Sequence, residues 1–160
     1  GGNVNSGGQR GEGTMTAPNS IAVKKCIENA LLHSGISSNE IDAINGHLTA
    51  TSKDSLEIKN WTEALKRNGT DFPYINSLKS TVGHCLSAAG SIESVASVLQ
   101  IHNGFIFPNV NCDDLNPEIA DLIDASKVST KLIEKEINIV AKASFGFGDV
   151  NGCVIFKKYK

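Results

Sequence analysis

The sequence predicts an α/β domain, built in layers around a mixed sheet, and three observations carry that prediction. Helical patterns of apolar residues alternate along the chain with short apolar runs that are typical of buried strands. The chain has 160 residues, a length that fits one domain. Hydrophobic residues make up 40% of it and charged residues 20%, so enough apolar side chain is present for a core.

Turn and cap residues separate the predicted elements. Asn19 or Ser20 can cap the first helix and Gly35 can end it, and Gly69 is the predicted stop of the second. The predicted elements are, in order, helix 19–34, strand 41–45, helix 52–68, strand 73–76, helix 83–102 and strands 137–145 and 153–157.

The third helix has an unusual composition. Between Ser80 and His102 the one formally charged residue is Glu93. A helix that is apolar on most of its faces is expected to be buried on most of its faces. A chain of this size has difficulty covering such a helix alone, so the pattern indicates a larger core than these residues can build.

The first thirteen residues contain six of the fifteen glycines and almost no apolar side chains. Such a segment cannot offset the entropy of its own ordering by burial. The chain also lacks an initiator Met. We therefore expect residues 1–13 to be a flexible leading segment, or a junction made inside a longer polypeptide, ahead of one domain over residues 14–160.

Composition excludes several classes of protein. The formal net charge is −2 with no basic tract, which disfavours nucleic acid as a partner. No apolar run approaches the roughly 18 residues that span a bilayer, and no signal peptide is visible. The cysteines are far apart without a C-x-x-C pair, so a zinc site is disfavoured and reduced thiols in a cytoplasmic protein are expected: Cys26, Cys85, Cys112 and Cys153.

A first polar loop follows the strand that ends at residue 45 and precedes a helix, where α/β folds place ligands. Its histidine, His47, can exchange a proton or polarise a carbonyl near neutral pH. Thr49 and Thr51 alternate, so both hydroxyls can point to one side. The alternative is structural: a histidine that is hydrogen-bonded at a strand end, with the threonines capping the next helix.

A second loop, at the start of the apolar helix, carries Lys79 and His84. A charge buried there without a partner would cost several kcal/mol. Glu93 lies nine residues after His84 and reaches Lys79 only if the loop folds over the helix. The functional interpretation is a Lys–Glu pair that sets the orientation and protonation of His84. The alternative is a structural ion pair with a histidine nearby.

A third loop contains Phe145, Gly146, Phe147 and Gly148. Glycines permit positive φ and close backbone approach, so Phe147 can swing or present its amide to a ligand. A tight turn between two strands explains the same residues. The glycine spacing does not fit a dinucleotide fingerprint, because no helix pattern follows.

The order of the three loops is more specific than any of them alone. His-x-Thr-x-Thr, then Lys-Ser-x-x-Gly-His before Ala-Ala-Gly-x-x-Glu, then Phe-Gly-Phe-Gly, resembles the β-ketoacyl-acyl-carrier-protein synthases of fatty-acid and polyketide synthesis. The resemblance extends from about residue 14 to 160. It implies a thiolase-like layered fold, of which this chain would be the C-terminal half.

The resemblance also implies roles for the loop residues. His47 and His84 resemble the two histidines that polarise the malonyl thioester, and Lys79 resembles the lysine that positions the second one, with Glu93 as its carboxylate partner. Thr49 and Thr51 resemble the threonines that bind the pantetheine arm. Phe147 resembles a gating residue whose amide contributes to an oxyanion hole, and Phe145, Gly146 and Gly148 would support it.

Two departures from the family pattern bear on the site. Leu48 stands where such enzymes commonly have Gly, beside the implied pantetheine channel. Asp149 and Val150 stand where a Gly-Gly-Thr-Asn turn is common. The added carboxylate either changes the flexibility of the gate or adds a hydrogen bond, and the sequence leaves both open.

The largest departure is the nucleophilic cysteine, which none of the four cysteines matches and which the resemblance places in a missing N-terminal half. We therefore expect part of a condensing enzyme, inert alone, which elongates an acyl chain by decarboxylative Claisen condensation. The implied partners are acyl carrier protein, the missing half and a second copy in a homodimer. No diffusible cofactor or metal is expected, since the carrier brings the phosphopantetheine. The alternatives are a non-catalytic partner subunit that shapes product length, and an excised domain that self-associates.

Overall fold

A computed structural model of the protein describes residues 1–8, 15–16 and 18–159. The helices are α1 Ser20–Ser34, α2 Asp54–Leu65, α3 Lys79–Val82, α4 Ala89–Asn103 and α5 Pro117–Ala120. The strands are β1 Gly2–Ser6, β2 Ala43–Asn45, β3 Tyr74–Asn76, β4 Phe105–Ile106, β5 Ile133–Glu134, β6 Ile139–Gly146 and β7 Val150–Lys157. Across these described ranges, every helix is too short or too polar to pass through a bilayer.

Five strands form one mixed sheet in the order β1-β7-β6-β2-β3. Strand β2 pairs parallel with both β3 and β6, whereas the β6–β7 and β7–β1 pairs are antiparallel. Strands β4 and β5 form a separate two-stranded ribbon that the sequence did not predict. The α/β class with a mixed sheet is confirmed.

Side-chain alternation gives the sheet two buried faces. Ile44 and Ala141 lie in an apolar cluster with residues of α1 and α2. Their neighbours Ala43 and Val140 face the other way and pack with Ile101 of α4. The sheet is therefore sandwiched between α1 and α2 on one face and α4 on the other, as the layered prediction requires.

The ends of α1 follow the predicted caps. The Asn19 side chain accepts hydrogen bonds from the backbone N–H groups of Ile21 and Ala22. Gly35 follows the last residue in the left-handed conformation, and its N–H returns to the helix carbonyls. Helix α2 is shorter than predicted: it begins at Asp54 and ends at Leu65, four residues before Gly69.

The prediction that residues 1–13 form a flexible leading segment is wrong for residues 2–6. They form β1, which pairs along its whole length with β7. Backbone hydrogen bonds to an existing sheet edge supply the order that side-chain burial alone could not. Residues 9–13 of that predicted segment lie outside the described residues.

The predicted helix 83–102 is corrected in two respects. Its regular part begins at Ala89, because Gly83 adopts a φ of 76° and Leu86 one of 50°, which interrupt a helix. It is also buried on one face only, and that face is partly polar, since Glu93, Ser97 and Gln100 are buried. The exposed side of α4 carries the apolar side chains Ile92, Val95, Val98 and Leu99.

Candidate active site

The three polar loops meet because of the strand order. Strands β3, β2 and β6 lie side by side and parallel, so their carboxyl ends share one edge of the sheet. His47 follows β2, Lys79 follows β3, and Phe145 lies at the end of β6. Residues that are distant in sequence are therefore brought to the edge where open α/β sheets bind ligands.

His47 is half-buried, and a carboxylate of α2 holds its loop in place. The backbone N–H groups of His47 and Leu48 donate to Glu57 Oε1 at 2.8 Å and to Glu57 Oε2 at 2.9 Å. Burial lowers the pKa of His47 to about 4, and the nearby positive charge of Lys79 acts in the same direction. The ring is therefore neutral at physiological pH. It can donate a hydrogen bond through its N–H group, but it does not act as an acid.

Glu57 is itself fully buried within this arrangement. Burial raises its pKa to about 7, although its hydrogen bond from the His47 amide opposes that change. Its carboxyl group also accepts a bond from the Trp61 ring nitrogen at 3.4 Å. The conformation of the histidine loop thus depends on a group that titrates near neutral pH.

The threonine loop is fixed by Asp54, the first residue of α2. The N–H of Thr49 donates to Asp54 Oδ1 at 3.0 Å, and the N–H of Ala50 donates to Asp54 Oδ2 at 3.0 Å. The Thr49 and Thr51 hydroxyl oxygens lie 3.3 Å apart. The two hydroxyls therefore lie on one side of the loop, as their alternation predicted.

His84 lies against His47, with ring centroids 5.5 Å apart and planes at 81°. The backbone N–H of Leu86 donates to His84 Nδ1 at 3.0 Å, so the neutral ring carries its proton on Nε2. The Phe145 ring also packs against His47, with ring centroids 6.4 Å apart. Two imidazole rings so close together can both donate an N–H to a single substrate oxygen.

Glu93 of α4 lies at the centre of a buried ion cluster. Its Oε1 accepts a short hydrogen bond from Lys79 Nζ, and its Oε2 lies 2.7 Å from Lys142 Nζ. All three side chains are at most 5% exposed. The loop does fold over the helix as the Lys79–Glu93 prediction required, and a second lysine joins the pair.

The backbone around Glu93 is also anchored. The Asn45 amide at the end of β2 donates to the Glu93 carbonyl oxygen at 2.9 Å and to Ser97 Oγ at 3.1 Å. These buried contacts connect the strand that carries the His47 loop to the helix that carries the carboxylate. The two halves of the candidate site are thus held in one rigid unit.

Phe147 lies at the tip of the turn between β6 and β7 and is 76% exposed. Gly148 has a φ of 73°, which an L side chain would strain. The following carboxylate, Asp149, is buried and accepts a hydrogen bond from the backbone N–H of Asn19 at 2.9 Å. Of the two effects considered for this departure, the added hydrogen bond is present, and it fastens the turn to the start of α1.

A cavity of about 310 Å³ opens beside His84 and the threonine loop. His84, Lys79 and Thr49 contribute polar groups to its wall, and Leu48, Ile58 and Leu115 contribute apolar ones. Leu48, where a glycine was expected, therefore occupies the wall of this cavity. The volume is in the lower range of small-molecule sites.

The structure gives no cysteine a nucleophile's environment. All four are free thiols, and Cys26 and Cys153 are buried in the core. Cys85 adjoins His84 in sequence, but its sulfur donates weakly to the Val82 and Gly83 carbonyls at 3.8 Å. Burial raises the pKa of Cys112, which disfavours its thiolate. In the part of the chain that the structure describes, none of the four sulfurs hydrogen-bonds to His47 or His84, although Cys112 lines the same cavity as His84.

The structure thus brings together His47, His84, Lys79, Glu93 and Phe145, with Thr49 and Thr51 on the adjoining loop and Phe147 out at the turn tip. Sequence reasoning missed Lys142, Glu57 and Asp54. A lysine inside the otherwise apolar strand Ile139–Gly146 is an available sign of a buried ion pair. Glu57 sits four residues before Trp61 on the inner side of α2, where a carboxylate is equally unexpected.

Comparison with known proteins agrees with this geometry. The family model described as "Beta-ketoacyl synthase, C-terminal domain" matches residues 1–113. The chloroplastic 3-oxoacyl-[acyl-carrier-protein] synthase I of Arabidopsis thaliana is 37% identical over 149 residues, covering 91% of this chain and 30% of the relative. The 3-oxoacyl-[acyl-carrier-protein] synthase 1 of Escherichia coli is 31% identical over 146 residues, covering 91% and 34%.

Solved structures give the same picture of the fold. The ishigamide ketosynthase/chain length factor matches all of this chain and 37% of its own, with a TM-score of 0.88 and 27% identity. A β-ketoacyl synthase from Burkholderia phymatum matches 99% of this chain and 36% of its own, with a TM-score of 0.85 and 26% identity. The chain spans about a third of the length of these relatives. It has the thiolase-like fold of the ketosynthases, and it belongs to the family of the β-ketoacyl synthase C-terminal domain.

Proposed function

We propose that this chain supplies the two-histidine part of a site that elongates an acyl chain by decarboxylative Claisen condensation with malonyl-acyl carrier protein. The observation that carries the proposal is the pair of imidazoles 5.5 Å apart beside a buried Lys–Glu pair, at the shared end of three parallel strands. Its membership of the β-ketoacyl synthase family supports the same chemistry.

The proposed reaction needs hydrogen-bond donors that stabilise a negative oxygen, and it does not need a general base to remove a proton from the substrate. The malonyl carboxylate leaves as CO₂, and the electron pair of the broken C–C bond becomes an enolate of the thioester. The N–H groups of His47 and His84 stabilise the enolate oxygen. The enolate carbon then attacks an acyl thioester on a cysteine, the new C–C bond forms, and the cysteine leaves as thiolate.

The nucleophilic cysteine lies in another part of the complete enzyme under this proposal. The exposed apolar side of α4 supports a packing partner for this chain, because apolar patches of that kind mark interfaces. The complete enzyme is proposed to be a homodimer. The isolated 160 residues are proposed to be inactive, since the acyl group has no thiol to occupy beside the histidines.

Acyl carrier protein is the proposed substrate carrier, as the names of the relatives state for those proteins. Its pantetheine arm is proposed to enter the cavity that Thr49 lines, with Thr51 on the same loop. The carrier would bring the phosphopantetheine, so no diffusible cofactor or metal is invoked. Phe147 is proposed to gate the site from the turn tip. The cytoplasmic location expected from the sequence stays a prediction, and the Arabidopsis relative is named as chloroplastic.

A non-catalytic partner subunit that shapes product length is the second candidate. This candidate is supported by the match of the whole chain to the solved structure of the ishigamide ketosynthase/chain length factor. Both histidines and the Lys–Glu pair are in place here, and a purely structural subunit has no chemical need for them. The catalytic proposal therefore stands first.

The test is a condensation assay on the native polypeptide as the source cells make it, with acyl and malonyl carrier proteins and product detection by mass spectrometry. We expect a β-ketoacyl product from the native polypeptide and none from the isolated 160-residue chain. Product from the isolated chain would overturn the proposal that the nucleophile lies elsewhere. Absence of product from the native polypeptide, whatever its length, would favour the non-catalytic subunit.

A further inference from the structure

A second lysine lies in the candidate site without any assigned role. Lys142 is in the middle of β6, where its strand neighbours are buried and apolar, and is itself 3% exposed. Its Cα pairs with Asn45 of β2. By alternation along β6 its side chain leaves the sheet on the face that packs against α4, directly behind the two histidine loops.

The Lys142 ammonium group contacts three oxygen atoms. Its Nζ lies 2.7 Å from Glu93 Oε2, donates to the Ala143 carbonyl at 2.5 Å, and makes a short hydrogen bond to Ser144 Oγ. An ammonium group has three N–H donors, and the Ala143 carbonyl and Ser144 Oγ accept two of them, while Glu93 Oε2 lies at ion-pair distance. These contacts fix the side chain in place beside the carboxylate.

Glu93 consequently has a different lysine on each oxygen. Lys79 holds Oε1 from the loop after β3, while Lys142 holds Oε2 from β6. With both lysines protonated, two ammonium groups and one carboxylate give the cluster one net positive charge; burial lowers the pKa of Lys142, and Glu93 opposes that change. A surplus charge in a buried site costs free energy unless it stabilises a negative charge that arrives there.

We propose that Lys142 is a positioning residue of this site: it clamps Glu93 from the side opposite Lys79 and places one net positive charge behind His47 and His84. That charge favours the negative charge of a malonyl carboxylate or an enolate. The inference deepens the proposed function and rests on it for the identity of the anion, but the placement of the charge is independent of any substrate.

The electrostatics of His47 provide independent support. Burial is the largest cause of its lowered pKa, followed by Lys79, His84 and Lys142, while Glu93 acts in the opposite direction. Glu57 adds a titratable carboxyl from α2 against the His47 amide. Burial and the positive cluster together keep His47 neutral, so the ring donates its single N–H to the substrate and does not carry the second proton that would charge it.

The experiment measures the pKa of His47 in the whole native polypeptide, by histidine C2 hydrogen–deuterium exchange followed by mass spectrometry across pH. We expect Lys142→Met to raise the pKa of His47 by about half a unit or more, because a neighbouring positive charge is removed. Glu93→Gln should lower the pKa of His47, or leave it at the lowest value that the method can measure, because the net positive charge of the cluster grows. If Lys142 had only a structural role, the two substitutions would not change the pKa of His47 in opposite directions.

The matched control is Lys158→Met, which removes an exposed lysine paired with Glu136 and should leave the pKa of His47 unchanged. The exposed His33 and His102 serve as references within the same samples. An unchanged or lowered pKa of His47 in a folded Lys142→Met protein would overturn the proposal. Lys142→Gln, which keeps a hydrogen-bonding group, replaces that variant if it does not fold.

The wild-type measurement can also overturn the proposal by itself. A pKa of His47 at or above about 6.5, the ordinary value for a histidine, would show that no positive cluster acts on the ring and would overturn the proposal whatever the variants do. No acyl substrate enters this experiment. A failure of the condensation assay and a failure of the Lys142 proposal are therefore separate results.

Discussion

At the scale of single residues, the site is organised by buried ionisable groups whose pKa values move in opposite directions. Burial raises the pKa of Glu57 and lowers that of His47, because in each case it penalises the charged form. The two groups are adjacent, since the Glu57 carboxyl accepts the His47 amide. Their titrations therefore report on the same loop.

Glu57 makes the stability of the loop dependent on pH. Its pKa rises from 4.5 to about 7 on folding, so the folded state binds more protons between those values and stability falls as pH rises through that window. We expect the wild type to lose up to about 3 kcal/mol of unfolding free energy relative to Glu57→Gln as the pH rises from 4.5 to 7. Urea unfolding at a series of pH values measures it.

Glu63→Gln is the control for this prediction, because Glu63 lies on the same helix but its side chain is 42% exposed and paired with Lys24. That variant should leave the slope between pH 5 and 8 unchanged. A pH dependence that is identical in wild type and Glu57→Gln would contradict the account of Glu57.

The ion cluster predicts unequal costs for its members. Glu93→Gln leaves two buried lysines without their carboxylate and should destabilise the protein by about 3–5 kcal/mol. Lys79→Met leaves Glu93 paired with Lys142 and should cost clearly less. Denaturant midpoints of the two variants make the comparison. Equal losses would show that Lys142 does not share the carboxylate.

At the scale of elements, the turn between β6 and β7 is tied to the start of α1. The Asp149 carboxylate accepts the Asn19 N–H, and the Asp149 carbonyl accepts the Gly7 N–H at 3.0 Å. The first contact depends on the side chain, while the second depends on the backbone alone. The turn that bears Phe147 is therefore braced through Asp149 by Asn19 and Gly7, which are distant in sequence.

We expect Asp149→Ala to lower the unfolding free energy by about 1–3 kcal/mol, because the partly buried backbone N–H of Asn19 loses its carboxyl acceptor. Amide exchange at the turn should also become faster. Hydrogen exchange read by mass spectrometry measures both the turn and α1. Unchanged exchange across residues 146–150 would show that the carboxylate does not brace the turn.

The same scale shows what the sequence could predict and what it could not. Alternating patterns and caps located α1, β2, β3 and the β6–β7 pair, because local rules decide those elements. The start of α4 was placed six residues early, since the turn at Gly83 precedes a stretch that reads as helix. Strand β1 was missed because a neighbouring strand orders it, which local composition does not record.

The part of the candidate site that lies in the three sequence motifs could be predicted, because the order of those motifs along the chain is specific. The three motifs contain His47, His84, Lys79 and Glu93, and the strand order brings them together. Lys142 and Glu57 lie outside those motifs, in β6 and α2, and were missed for that reason. Their importance follows from burial next to the loops, which only the tertiary structure shows.

At the scale of the whole molecule, α4 is inverted relative to an ordinary surface helix. It buries Glu93, Ser97 and Gln100 while Val95 and Val98 are 60% and 48% exposed. Ile92, Val95 and Leu99 follow one another at helical spacing, so the exposed apolar residues form one stripe. This stripe is the surface at which a further layer of the fold is expected to pack.

We expect the isolated 160-residue chain to self-associate through that stripe, because exposed apolar patches of this kind drive association. Sedimentation velocity over a range of concentrations measures it. The double variant Val95→Lys, Val98→Lys should shift the population towards monomer, whereas Val4→Lys, another exposed valine on a different element, should not. A chain that stays monomeric without substitution would contradict the assignment of this surface.

The central claim is that His47 and His84 act together as hydrogen-bond donors to one anionic intermediate. Release of CO₂ from malonyl-acyl carrier protein by the native polypeptide tests it most directly, since this step precedes carbon–carbon bond formation. We predict that His47→Ala and His84→Ala each reduce the rate at least about 100-fold, and that Lys158→Met leaves it unchanged. Folded histidine variants that release CO₂ at the wild-type rate would contradict the account.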